Sequence, residues 1–150
     1  MKDTRPKLIG LLKEGYCTPQ IARMAKKLQE PSTTLQYNIK KLEEEGAIKA
    51  YKAIFSYKKI DEGFVAFLLI NLAPEEYGDP EKIGKEISKL KEIESVDIVT
   101  GGWELLVKVR TKDQETYYQL VKNVISRKGI NKITTITSLM QLKSEFVAGQ

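Results

Sequence analysis

The residues with the clearest chemical potential lie in residues 18–46. Two patterns of helical spacing flank a break at residues 28–31. In the second pattern Leu35, Ile39 and Leu42 recur at i, i+4 and i+7, which predicts a buried stripe. At about 100° per residue, the opposite side of that helix collects hydrogen-bonding and basic side chains: Ser32, Thr33, Gln36, Tyr37 and Lys40. Two helices joined by a tight turn, the second with such side chains outward, suit the major groove of DNA.

The chemistry of these side chains suggests how each would contact DNA. Gln36 carries an amide that can read adenine through two hydrogen bonds. Lys40 and Lys41 lie one turn further along, where phosphate contact adds affinity rather than specificity. The alternative interpretation is a solvated helix face without a ligand. The predicted DNA contacts are Ser32, Thr33, Thr34, Gln36, Tyr37, Asn38, Lys40, Lys41 and, on the preceding helix, Arg23.

The distribution of charge agrees with double-stranded DNA as a partner. Residues 1–60 hold 13 Lys and Arg against 6 Asp and Glu, a net charge of +7, whereas residues 61–150 hold 12 against 14, a net charge of −2. Such asymmetry is expected when one domain meets a polyanion and the other has a different task. A solvated lysine-rich surface is the alternative.

Composition excludes several kinds of chemistry. The chain has one cysteine, Cys17, and no histidine, which excludes an internal disulfide framework, Cys/His zinc sites and histidine-based acid–base catalysis. No carboxylates are paired in a way that argues for catalysis, so we expect no enzyme, no metal and no cofactor. No apolar run approaches the ~20 residues of a membrane span, and the N-terminus does not resemble a signal peptide. A cytoplasmic protein without membrane contact is expected.

The pattern of elements divides the chain into two domains. Residues 1–57 are predicted to form a helix-turn-helix domain that closes with a short β segment over residues 51–57, and residues 58–63 a linker. Residues 64–150 read as strand–helix–strand twice over, the ferredoxin-like βαββαβ arrangement of an α+β protein. The predicted strands are 64–72, 96–100, 104–110 and 132–142, and the predicted helices are 81–91 and 113–128.

The first strand of the second domain, residues 64–72, is apolar on both sides. In a βαββαβ domain both helices cover one face of the sheet, so the other face would expose an apolar patch that a monomer rarely carries. We therefore expect this open face to pack against the same face of a second chain in a C2 homodimer. Burial of both faces within one chain is the alternative.

Several short motifs in this order resemble a known family. In the first half they are Thr34-Leu35, Ile39, Leu42-Glu43, Gly46-Ala47-Ile48 and Tyr51; in the second they are residues 99–107 (VTGGWELLV), Gly129-Ile130 and Thr135. Over essentially its whole length the chain resembles the leucine-responsive regulator/AsnC (Lrp/AsnC, feast/famine) transcription regulators. It departs from the family pattern at Pro31, where serine is usual, at Asn38, where arginine is common, and at Glu104, where aspartate is usual.

This resemblance implies a sequence-specific DNA-binding regulator whose dimers join into tetramers or octamers and hold an amino-acid effector between them. The implied effector residues are Thr100, Gly101, Gly102, Trp103 and Glu104 in one turn, Thr134, Thr135 and Thr137 on the last strand, and Tyr77. Consecutive glycines allow positive φ and expose N–H groups that bind a carboxylate. Ordinary hairpin chemistry is the alternative at this turn. For the whole protein, the alternative is an architectural DNA binder with little sequence preference and no effector.

Overall fold

The computed structural model describes residues 1–145 and the backbone of residues 147–148, and it separates into two compact units, Met1–Ile54 and Phe55–Gln150. The first unit is helical. Its helices are α1 (Arg5–Lys13), α2 (Ile21–Leu28) and α3 (Ser32–Glu44).

Two backbone conformations define the turn between α2 and α3. Gln29 ends α2 in the left-handed conformation, with φ 56°, and Pro31 takes the N-cap position of α3 in an extended conformation. The Pro31 carbonyl accepts hydrogen bonds from the backbone N–H groups of Thr34 and Leu35, at 3.1 and 3.2 Å. Proline at the cap lacks a side-chain acceptor, so the backbone alone starts α3.

The predicted buried stripe of α3 is only partly buried. Leu35 is 7% exposed, but Leu42 is 42% exposed and Leu28 of α2 is 64% exposed. These side chains line an apolar groove of about 430 Å³ between α2 and α3. The prediction is wrong at Leu42, because this side chain borders the open groove and is not covered by α2.

The β segment predicted over residues 51–57 is wrong for this chain. Within the described residues no strand forms between α3 and residue 64, and Tyr57–Ile60 is a short 3-10 helix. A strand exists only where a neighbour completes its backbone hydrogen bonds. None of the described strand pairs includes this segment.

The second unit contains a four-stranded antiparallel sheet in the order β2-β3-β1-β4 with two helices. This is the predicted ferredoxin-like arrangement. The strand predicted over 132–142 ends at Thr137, and two short strands of two residues each, paired antiparallel, follow it. The elements are β1 (Phe64–Leu72), a 3-10 turn (Pro74–Glu76), α4 (Pro80–Ile87), β2 (Ile93–Ile98), β3 (Leu105–Thr111), α5 (Gln114–Ile125), β4 (Ile130–Thr137), β5 (Lys143–Ser144) and β6 (Val147–Ala148).

The core lies between the sheet and the two helices. Alternate residues of β1 and β3 face the helices, and Leu68, opposite Val107 in the register, is fully buried with it. Side chains at helical spacing on α4 and α5 close this layer. The buried core residues are Ala66, Leu68, Ile70, Leu72, Ile83, Ile87, Leu105, Val107, Val109, Tyr117, Leu120 and Val124.

The other face of the sheet carries the second apolar side of β1. Phe67 and Leu69 are half-buried there, and Leu69 stands between Leu106 of β3 and Thr134 of β4. Ile136, opposite Phe67, is 52% exposed. Neither helix covers this face, so its apolar centre stays accessible in the isolated chain.

Candidate DNA interface and effector turn

The outward face of α3 presents the predicted DNA contacts as one stripe. Thr33, Tyr37 and Lys40 are spaced by four and three residues, which places them on the same side of the helix, and all three are exposed. Tyr37 is 68% exposed. Ser32 and Gln36 flank the stripe and are exposed as well. The first two turns of α3 thus offer hydroxyl and amide groups, and the following turn offers ammonium groups.

Two of the predicted contacts lie away from this stripe. The Asn38 side-chain amide donates to the Thr34 carbonyl at 2.8 Å, and both residues line the groove between α2 and α3. Thr34 lies one residue before the buried Leu35 and Asn38 three residues after it, which places both on the groove side of α3. The Arg23 guanidinium on α2 is exposed and lies 3.4 Å from the side-chain oxygen of Gln20.

The predicted effector turn connects β2 to β3. Gly101 has φ +106°, and a Cβ built on either Gly101 or Gly102 would meet no atom within 4 Å. The turn closes through the Val99 N–H, which donates to the Glu104 carbonyl at 3.0 Å. The Asn71 side-chain amide of β1 donates to the Gly102 carbonyl. The turn is therefore open on its outer side and tied to β1 on its inner side.

The Glu104 carboxylate is committed to the backbone of β1. The register between β1 and β4 shifts at Asn71 and Leu72, and the Leu72 N–H donates to Glu104 Oε2 at 2.8 Å. A bulge removes a backbone group from its ladder and requires another partner. Sequence reasoning missed Asn71, although one polar residue within the apolar run of β1 was a signal for it.

The three threonines assigned to effector binding do not converge within one chain. Thr134 lies on the open face, whereas Thr135 and Thr137 are in register with Leu68 and Ala66 and face the helices. The Thr135 hydroxyl shares a hydrogen bond with the Tyr117 hydroxyl. Alternation along a strand sends neighbouring side chains to opposite faces, so these three cannot line one pocket of a single subunit.

Trp103 and Tyr77 lie beside different elements. The Lys132 ammonium lies 5.8 Å from the centroid of the Trp103 ring. Tyr77 follows the 3-10 turn and is 54% exposed.

An ionic cluster lies at the opposite end of the sheet. The Glu94 carboxylate accepts from Arg110 Nε at 2.6 Å and lies 2.7 Å from Lys108 Nζ. The Arg110 side chain is only 8% exposed. Burial on its own raises the pKa of Glu94, but hydrogen bonds and positive charge from Arg110 and Lys108 outweigh it and hold that pKa below its usual value.

Arg110 also binds residues on both sides of the predicted boundary between the first domain and the linker. Its guanidinium lies 3.7 Å from the centroid of the Tyr57 ring, and Nη1 donates to the Glu62 carbonyl at 3.4 Å. Nη2 donates to the side-chain oxygen of Gln141 at 3.4 Å. Through these contacts residues 55–63, which the sequence divided between the first domain and the linker, belong to the second unit.

Within the described residues, no group of three or more Cys, Asp or Glu side chains is arranged to hold a metal ion. Nor does that part of the chain contain a helix with the length and hydropathy of a membrane span.

A cationic helix-turn-helix unit followed by a ferredoxin-like unit defines a modular transcription regulator. Residues 65–147 match the family model described as the Lrp/AsnC ligand binding domain. An HTH-type transcriptional regulator of Pyrococcus furiosus is 35% identical over 126 residues, which cover 83% of this chain and 84% of the relative.

Solved structures agree in fold. An AsnC family transcriptional regulator from Agrobacterium tumefaciens superposes with a TM-score of 0.75 at 23% identity and covers 96% of this chain and 94% of that chain. A feast or famine regulatory protein of M. tuberculosis, complexed with L-methionine, gives a TM-score of 0.74 at 17% identity and covers 84% of each chain.

The chain belongs to the Lrp/AsnC family of helix-turn-helix transcription regulators. The resemblance noted in the sequence, the fold class and the expectation of a regulator instead of an enzyme are confirmed. Regulators of this family bind DNA and are oligomeric.

Proposed function

We propose that this regulator reads DNA with the first turns of α3 in the major groove and that Lys40 and Lys41 contact phosphates. The observation that carries the proposal is the exposed stripe of Thr33, Tyr37 and Lys40, flanked by Gln36, in the half of the chain that holds the excess positive charge. Hydroxyl and amide groups near the start of a recognition helix reach base edges, and cations further along reach the backbone. Thr34 and Asn38 line the groove between α2 and α3 and are not among the proposed DNA contacts.

We further propose that two chains join through the open faces of their sheets into a C2 dimer. Support comes from the half-buried Phe67 and Leu69 on a face that neither helix covers. In a symmetric pair, two recognition helices enter successive major grooves about 34 Å apart. Assembly of dimers into tetramers or octamers belongs to the same proposal.

We propose that the β2–β3 turn binds an amino-acid effector at a contact between dimers. In support, Gly101 and Gly102 leave open space around backbone N–H groups that suit a carboxylate. The similar M. tuberculosis protein was crystallised with L-methionine. Because Thr134, Thr135 and Thr137 diverge within one chain, we infer that only some of them contribute from any one subunit.

Truncation of Gln36 to alanine tests the reading of bases. We expect Gln36→Ala to weaken binding to a site selected from random duplexes by roughly tenfold or more, since one bidentate base contact contributes about 1–3 kcal/mol. Binding to random duplex DNA should stay unchanged. Fluorescence anisotropy across a series of salt concentrations measures both affinities and the steep salt dependence expected for phosphate contacts.

Gln119→Ala on the exposed side of α5 is the matched control and should bind like the parent protein. Equal losses on selected and random DNA would contradict base reading by Gln36. Failure to enrich any site would favour the architectural DNA binder, and absence of salt dependence would contradict phosphate contact altogether.

Effector binding is tested by thermal unfolding in the presence of each of the twenty amino acids. A ligand at one hundred times its Kd stabilises the native state by about 2.7 kcal/mol, so at least one amino acid should raise Tm by several degrees. Gly102→Asp should abolish that rise, because the new carboxylate repels the one on the ligand.

Gly10→Asp introduces the same charge into the first unit and should leave the rise intact. If no amino acid shifts Tm, the regulator works without such an effector. A rise that persists in Gly102→Asp would place the ligand elsewhere.

A further inference from the structure

Three glutamates end the recognition helix, and each has a partner within the first unit. Glu43 accepts a hydrogen bond from the Tyr51 hydroxyl at 2.8 Å. Glu44 Oε1 lies 3.7 Å from Lys40 Nζ, and Glu45 Oε1 lies 4.0 Å from Lys41 Nζ. Both lysines proposed to contact phosphates therefore carry a carboxylate neighbour on the same helix.

The two ion pairs contribute too little to the stability of the fold to explain their presence. All four side chains are at least 56% exposed, and exposed pairs of this kind contribute little to the free energy of folding. The order is also the weaker one, since lysine precedes glutamate at i, i+4. Negative charge at a helix C-terminus moreover opposes the helix dipole.

The position of Glu44 gives the pair a functional meaning. Thr33, Tyr37, Lys40 and Glu44 follow one another at spacings of four, three and four residues, so they share one side of α3. A carboxylate thus continues the stripe that is proposed to face DNA. Where Lys40 meets phosphate, Glu44 is repelled by the same phosphate.

We propose that Glu44, with Glu45 beside it, competes with DNA phosphates for Lys40 and Lys41 and so weakens the hold of the helix on DNA of arbitrary sequence. The inference rests on the proposed DNA contact by α3. Binding to arbitrary sequence depends almost entirely on phosphate neutralisation. A competitor on the helix itself lowers that background and speeds release from wrong sites, because the carboxylate replaces the phosphate as the lysine moves away.

The test measures binding of the full-length protein to a random-sequence duplex between 50 and 300 mM NaCl. We expect Glu44→Gln to tighten binding roughly threefold or more at the lowest salt and to steepen the salt slope by up to about 0.9, the value for one phosphate. Glu14→Gln removes an equal charge from an exposed position in the same unit and should change the affinity less. Urea unfolding should show equal stability for the parent protein and both variants.

A double-mutant cycle tests whether Glu44 affects DNA binding through Lys40. In a Lys40→Gln background, Glu44→Gln should change the affinity much less, because the Lys40 ammonium with which Glu44 pairs is absent. An effect of Glu44→Gln equal to that of Glu14→Gln, or undiminished without Lys40, overturns the inference while leaving DNA contact by α3 intact. If Lys40→Gln alone leaves the affinity and the salt slope unchanged, the proposed phosphate contact fails, and the inference falls with it.

Discussion

Replacement of Leu69 by glutamate is expected to convert the assembled protein into monomers at micromolar concentration. Leu69 lies at the centre of the open sheet face, between Leu106 and Thr134 on the neighbouring strands. In a C2 dimer through this face, the substitution places one carboxylate from each chain at the same interface. Burying an unpaired charge costs several kcal/mol, and each 1.4 kcal/mol changes the dissociation constant by about tenfold.

Sedimentation velocity measures this result, and far-ultraviolet circular dichroism shows that the fold is retained. Ile125→Glu is the matched control, because Ile125 is 54% exposed on α5, on the helix side of the sheet. It should leave the assembly unchanged. Dissociation by Ile125→Glu alone would move the interface to the helix layer, and a parent protein that already sediments as a monomer would contradict the proposed dimer.

Replacement of Arg110 by methionine is expected to lower the free energy of unfolding by about 3 kcal/mol, because it leaves the largely buried Glu94 carboxylate short of one partner. Methionine fills similar volume but offers no hydrogen bond, so the Tyr57 ring and the Glu62 carbonyl lose their contact as well. Lys108 lies 2.7 Å from Glu94 and still pairs with it in the variant. The loss of stability therefore stays at the lower end of the range for a broken buried ion pair. Urea unfolding of the parent and the variant measures the difference.

An exposed pair provides the control for Arg110. The Arg5 and Asp3 side chains form an ion pair at 2.8 Å but are 83% and 54% exposed, so Arg5→Met should change the free energy of unfolding far less than Arg110→Met does. The Glu94→Gln, Arg110→Met double variant should be more stable than the sum of the single losses predicts, since either single variant already breaks the pair between Glu94 and Arg110. Additive losses would show that the two residues act independently.

Acid should remove the contribution of the Glu94 carboxylate to the free energy of unfolding. Its pKa is lowered in the folded state, so the carboxylate stabilises the fold above the pKa of the unfolded chain. That stabilisation is lost as the pH falls through the folded pKa. The difference in unfolding free energy between the parent and Glu94→Gln should therefore shrink on acidification.

Sequence periodicity predicted the parts of the fold in which burial follows a regular spacing. Alternation in β3 placed Leu105, Val107 and Val109 on one side, and all three are fully buried against the helices. The outward stripe of α3 followed from the 3.6-residue period in the same way. Both patterns are local, because the geometry of a single element decides which side each residue takes.

The contacts that sequence reasoning missed join residues far apart in the chain. Arg110 meets Tyr57, and Asn71 meets Gly102, across separations that no local pattern encodes. The β segment over residues 51–57 was predicted from loose alternation, but alternation does not supply a neighbouring strand. Likewise, the threonines of β4 were assigned together to effector binding by residue type. The alternation of side chains along a strand places Thr134 on one face of the sheet and Thr135 and Thr137 on the other.

The bulge at the end of β1 imposes a chemical condition on whatever occupies the turn beside it. The Leu72 amide hydrogen depends on Glu104 for its acceptor. A ligand that moved the Glu104 carboxylate away would leave the Leu72 amide hydrogen without this acceptor, and a buried donor left unpaired costs about 1–3 kcal/mol. A ligand that brings an oxygen acceptor of its own would avoid this penalty, so the proposed effector turn should favour a carboxylate over an ammonium group beside Leu72.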